Sequence, residues 1–117
     1  MYTLYGTQSS GSCIVEIALQ RCGVLWRKVD ASPWGDAAGM EALGQINPLR
    51  QIPTLQLPDG SVLTESAAIL IWLGDLDGLY RWAPRPDAPE RAEYLRWMIF
   101  MSSSFYSTLA ITDGPAR

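Results

Sequence analysis

Histidine is absent from this 117-residue chain, and cysteine occurs twice. Without an imidazole, two thiols fall short of the four ligands that a structural zinc site takes, so no metal is expected. Cys13 and Cys22 cannot close a disulfide either. Both lie in one helical stretch, where nine residues at about 100° each put them on opposite faces and about 13 Å apart along the axis, while a bridge needs Cα atoms within roughly 7 Å. A reduced intracellular protein is the expectation.

Cationic residues are also sparse. Nine Lys and Arg against twelve Asp and Glu give a net charge of −3 and a pI near 4.7, with no basic patch to hold a phosphate backbone. Nucleic acid is therefore excluded as an expected partner. Long apolar runs are missing too: the longest uncharged stretch, Trp97 to Thr112, contains Ser102, Ser103, Ser104 and Ser107. It is shorter and more polar than the run of about 20 apolar residues that crosses a bilayer, so no membrane span is expected. Met1 to Tyr5 lacks the charged start of a secretory signal, and a cytoplasmic location follows as the expectation. Neither a GxGxxG fingerprint, nor a phosphate loop, nor an internal repeat occurs.

What is present is enough to fold. A hydrophobic content of 48% with 18% charged residues lies in the soluble globular range, and the length suits one compact domain better than two. Tyr2 to Tyr5 is a β-prone run closed by Gly6. A loop of small polar residues follows, and then Ile14, Val15, Ala18, Leu19 and Cys22 keep helical spacing up to Gly23, which is placed as a C′ residue. Val24 to Asp30 reads as a second strand. Strand, helix and strand at this spacing make a right-handed βαβ unit with parallel strands.

A helix from Asp36 to Leu43 is weakened by Gly35, Gly39 and Gly44. Ile52 to Leu57 and Ser61 to Thr64 read as strands joined by the turn Pro58-Asp59-Gly60. The helix from Glu65 to Leu76 is so apolar that burial on most sides is expected. These elements make an α/β thioredoxin-like βαβ-α-ββα domain over residues 1–77, with a mixed four-stranded sheet. The prolines of 78–88 mark a linker. Asp87 and Glu90 offer a capping box for a long helix over about 89–111, within a segment 89–117. Its middle, Trp97 to Met101, is apolar all round, and such a surface marks a contact.

Three stretches carry a resemblance. "NPLRQIPTL", "TESAAIL" and "SSGSCIVEIAL", in that spacing over residues 2–76, resemble the glutathione S-transferase family, in particular its serine-type, bacterial-like members. The resemblance implies glutathione as co-substrate and an electrophile as the second reactant. It implies a cis peptide bond before Pro53 that leaves the main chain of Ile52 to pair with the cysteinyl part of glutathione, with Gln51 beside it. Cis bonds before proline cost only about 0.5–1 kcal/mol, so proline suits that place.

The resemblance further implies that Ser66 and its N–H bind the γ-glutamyl carboxylate at a helix N-terminus, where an anion is favoured, while Glu65 meets the γ-glutamyl ammonium. The plain alternative for both is capping of that helix. It places the thiol-activating hydroxyl at Ser9, with Ser10 and Ser12 as alternates, since a one-residue shift of the loop changes which serine faces the sulfur. Arg50 stands where the family commonly has a small residue, and it would pair with the glycyl carboxylate or lie in solvent. Tyr5 fits a strand position better than a catalytic one. Ser10 to Cys13 looks like a Cys-x-x-Cys that has lost its first cysteine. Dithiol exchange is thereby unavailable, and Cys13 reads as a small buried apolar side chain.

Two function classes follow. One is a transferase that activates the glutathione thiol for attack on an electrophile. The other is a non-catalytic transferase-like module that assembles, as a homodimer or otherwise, through the 89–111 helix. By the resemblance, 89–117 is the start of a truncated all-helical second domain, in a chain that is either a fragment or a natural truncation.

Overall fold

The computed structural model describes residues 1–7, 12–32 and 37–101 in full, and the main chain alone over 102–112. The elements run β1 (Tyr2–Gly6), α1 (Ser12–Cys22), β2 (Trp26–Asp30), α2 (Ala37–Ile46), β3 (Thr54–Gln56), β4 (Val62–Thr64), α3 (Ser66–Leu76) and α4 (Arg91–Thr112). The four strands form one sheet in the order β2-β1-β3-β4. β1 and β2 are parallel, whereas β3 is antiparallel to both β1 and β4. This is the mixed sheet that the sequence pattern demands.

Every residue of β1 is buried, as befits a central strand covered on both faces. Side chains alternate across a strand. Tyr2 and Leu4 accordingly join Val15, Ala18 and Leu19 of α1, Leu55 of β3, and Ile69 and Leu73 of α3 in one core. Tyr5 points the other way, into a smaller core with Ala31 and Leu43, flanked by Val29, Met40 and Ile52. Helices α1 and α3 thus cover one face and α2 the other.

Local chemistry sets the connections. Gly23 has φ +71 and closes α1 by donating to the carbonyl of Gln20 at 3.2 Å. Gly60, with φ +91, donates to the carbonyl of Leu57 at 2.9 Å, and Asp59 Oδ1 accepts from Ser61 Oγ at 2.6 Å, which fixes the hairpin. Helix α2 survives its glycines for a packing reason. A β-carbon on Gly39 would overlap the main-chain carbonyl of Asp30, so glycine lets α2 lie directly on the end of β2.

Helix α3 is less deeply buried than its apolar composition predicts. Helix α3 buries Ser66, Ala67, Ile69, Leu73 and Gly74, yet Trp72 and Leu76 are 40% and 41% exposed. An all-apolar composition hides which stripe packs, and here only one side meets α1 and the sheet.

Two ion pairs tie the chain after α3 into place. Arg91 Nη1 and Nη2 donate to Asp75 Oδ1 and Oδ2 at 2.9 and 3.0 Å, and Nη1 also donates to the Pro84 carbonyl at 3.0 Å. Asp77 Oδ2 accepts from the main-chain N–H of Arg81 at 2.9 Å and from its Nε at 3.2 Å. At Gly74 a β-carbon would stand 3.1 Å from Ala83 Cβ and 3.4 Å from the Tyr94 hydroxyl, so α4 and the linker close on α3 at this point.

Candidate functional site

Sheet register brings the three motif stretches together. Tyr5 lies opposite Thr54, and Thr54 opposite Thr64. The next residues beyond that row are Gly6 and Thr7 at the end of β1, the Gln51 to Pro53 segment before β3, and the Glu65-Ser66 junction after β4. All three therefore meet at one end of the sheet. Helices α1 and α3 both begin there, so the partial positive charge of two helix N-termini lies at the same place. An anion is the ligand such a place favours.

The Ile52–Pro53 peptide is cis, with Pro53 buried, Ile52 half-buried and Gln51 exposed. Glu65 has φ +69 and ψ 115, a conformation that non-glycine residues rarely hold, and its side chain is exposed and makes no capping hydrogen bond. Its carbonyl accepts from the N–H of Ile69 at 3.1 Å, the first bond of α3. Ser66 is buried in the first turn of that helix. Backbone strain at such a junction is typical of functional sites.

Ser9 and Ser10 lie outside the described residues. Ser12 is completely buried, and its Oγ donates to the Thr7 carbonyl at 2.9 Å while accepting from the Thr7 N–H at 3.2 Å. It thereby pins the two ends of the β1–α1 loop against each other. Arg50, with φ +53, is exposed and lays its guanidinium over Gly44, where a β-carbon would approach Nε to 2.6 Å. Tyr5 is a core residue. Cys13 is exposed, which corrects its reading as a buried apolar side chain. The second position of α1 faces outward, and the helix buries Val15, Ala18 and Leu19 instead.

Two residues beside the site escaped the sequence reading. Asn47 and Thr54 are both buried, and Asn47 Nδ2 donates to Thr54 Oγ1 at 3.1 Å. Both stand inside the stretch "NPLRQIPTL", but nothing local in the sequence marks the contact between them. Among the described residues, no group of three or more Cys, Asp or Glu side chains is placed to hold a metal ion, and no helix is long and apolar enough to cross a membrane.

The profile of the glutathione S-transferase N-terminal domain matches residues 12–76. The chain is 33% identical over 118 aligned residues to the uncharacterized GST-like protein YncG of Escherichia coli K12, covering all of this chain and 57% of that one. A glutathione transferase of Methylococcus capsulatus superposes with a TM-score of 0.83 at 32% identity, over 98% of this chain and 57% of that one. A sphingomonad glutathione S-transferase complexed with glutathione does so with a TM-score of 0.83 at 29% identity, over 97% and 57%. The fold is the thioredoxin-like α/β domain of glutathione transferases. The chain belongs to the glutathione S-transferase family, and it spans a little over half the length of these relatives.

Proposed function

We propose that this protein binds glutathione at the sheet end where Gln51, Ile52, Pro53, Glu65 and Ser66 meet, and that it activates the thiol for attack on an electrophile. The observation that carries the reading is the convergence of the cis-proline segment and the start of α3, with its strained Glu65, at one end of the sheet. Ser66 and the first N–H groups of α3 bind the γ-glutamyl carboxylate, Glu65 meets the ammonium, and the main chain of Ile52 pairs with the cysteinyl unit. That a sphingomonad relative is complexed with glutathione supports this choice of ligand.

The thiol of glutathione needs help to ionise near neutral pH, since an unperturbed thiol titrates near 8.5. A hydroxyl donor beside the N-terminus of α1 supplies it, and Ser9 is assigned that role, with Ser10 as its alternate. Ser12 is the weaker third choice because its proton is committed to the Thr7 carbonyl. Residues 1–77 form the glutathione domain, 78–88 the linker and 89–117 the start of a helical domain. A cytoplasmic location, where reduced glutathione is held, belongs to the same reading.

A second reading is favoured by one observation. Trp97, Ile99, Phe100 and Met101 are 45%, 53%, 57% and 64% exposed on α4. Such a surface suits a binding module that self-associates through the 89–111 helix as a homodimer.

Titration calorimetry of glutathione into the chain and into Ser66→Ala decides the site, followed by turnover of an aromatic halide. Binding that the variant loses, with turnover, supports the transferase. Absence of binding by the folded parent overturns it, and binding with no turnover from a stable dimer selects the module.

A further inference from the structure

The chain between α2 and β3 is organised by two side chains. Asn47 is tied to α2 by its main-chain N–H, which donates to the Leu43 carbonyl at 2.8 Å. Its own carbonyl and Oδ1 then accept from the N–H groups of Arg50 and Leu49 at 2.9 and 3.2 Å, folding the loop around it. Its Nδ2 donates to Thr54 Oγ1 at 3.1 Å, and that hydroxyl in turn donates a hydrogen bond to the Gln51 carbonyl at 2.6 Å. Thr54 is completely buried and sits in β3, paired with Tyr5 and Thr64. The loop is thus suspended between a helix and a central strand.

Peptide geometry gives this brace a direction. A trans peptide is planar, and its C=O and N–H point opposite ways. The Gln51–Ile52 bond is trans, the cis bond being the one that follows it. Holding the Gln51 carbonyl inward on the Thr54 hydroxyl therefore aims the Ile52 N–H outward, away from β3. A threonine at this position fixes the orientation of a donor two residues away without touching a ligand.

We propose that Asn47 and Thr54 are positioning residues for glutathione: the Asn47 amide holds the Thr54 hydroxyl, which anchors the Gln51 carbonyl and so presents the Ile52 N–H to the cysteinyl carbonyl of the tripeptide. This rests on the glutathione reading above. It predicts that loss of the hydroxyl weakens glutathione while the fold is kept, because valine fills the buried volume of threonine.

The test compares the parent with Thr54→Val, Thr54→Ser and Asn47→Asp, by titration calorimetry with reduced glutathione and by the amide NMR signal of Ile52. Asn47→Asp keeps the acceptor for Leu49 but removes the donor to Thr54. Thr54→Val and Asn47→Asp should each bind roughly tenfold more weakly or worse, the scale of losing one buried hydrogen bond, and Thr54→Ser should stay within about threefold. The Ile52 amide should shift on glutathione addition in the parent and Thr54→Ser, and not in Thr54→Val. If Thr54→Val does not fold, the contrast between Asn47→Asp and Thr54→Ser carries the same decision. A parent that binds alongside an Asn47→Asp or folded Thr54→Val that binds equally well overturns the positioning role alone. A folded parent that binds no glutathione overturns the functional reading and this inference with it.

Discussion

Gly39 rests against the main-chain carbonyl of Asp30, so closely that a β-carbon would overlap it. Its other near neighbour is Ala31 Cα, at 3.5 Å from the same position. Both are backbone, which cannot turn aside as a side chain can. Gly39→Ala gains helix propensity of about 1 kcal/mol but forces α2 off the sheet. The net loss should reach at least the roughly 1–3 kcal/mol of ordinary overpacking. Urea unfolding measures it, and a variant as stable as the parent would sink the packing argument.

That glycine also marks where sequence reading stops. In a helical pattern glycine reads as weakness, and the sequence alone has no view of the strand across which the helix lies. Element order was legible because its punctuation is local, as at Gly23 and in Pro58-Asp59-Gly60. The buried side of α3 was not, since a helix apolar all round gives no stripe to read. At the site, the motif stretches at 47–55 and 64–70 were visible as patterns. The brace between Asn47 and Thr54 was not, because their seven-residue separation means nothing until the chain has turned back at Pro53.

The two thiols should react at very different rates. Cys13 is exposed, whereas Cys22 is half-buried and its Sγ donates to the Leu73 carbonyl at 3.3 Å. Burial pushes the Cys22 thiol up, the nearby Asp77 carboxylate adds to the rise, and Arg81 opposes it. Thiolate is the reactive form. With Ellman's reagent at pH 8, Cys13 should be modified at least about tenfold faster than Cys22, and Cys13→Ser should remove the fast phase. Equal rates would contradict the placement of α1 against α3.

Acid stability should depend on Asp77. Its carboxylate is held below the ordinary range first by the side-chain hydrogen bonds of Arg81 and then by the Arg81 main-chain N–H, with burial working the other way. Because the folded value lies below the unfolded one, the unfolded chain takes up the proton first. The stabilisation is complete above the ordinary carboxylate value of about 3.9 and is lost as pH falls through the lowered value. Asp77→Asn should therefore melt below the parent at pH 7, with the gap closing toward pH 3. Melting curves by circular dichroism across that range test it, and a gap that does not change with pH would exclude the ion pair as its source.

Glu65 offers a test in which stability and binding move apart. Its φ of +69 with ψ 115 lies outside the favoured regions for any residue with a β-carbon. Such strain costs on the order of 1–3 kcal/mol. Glycine relieves it, offset by about 0.5–1 kcal/mol of extra backbone entropy lost on folding. Glu65→Gly should thus melt at or above the parent temperature, since the exposed side chain makes no capping hydrogen bond whose loss would count against it. Under the proposed function the same change removes the carboxylate that meets the γ-glutamyl ammonium, and glutathione affinity should fall by roughly tenfold or more. A variant that is both less stable and unaltered in binding would show that Glu65 serves the fold, and that the strain at the start of α3 has no part in holding the ligand.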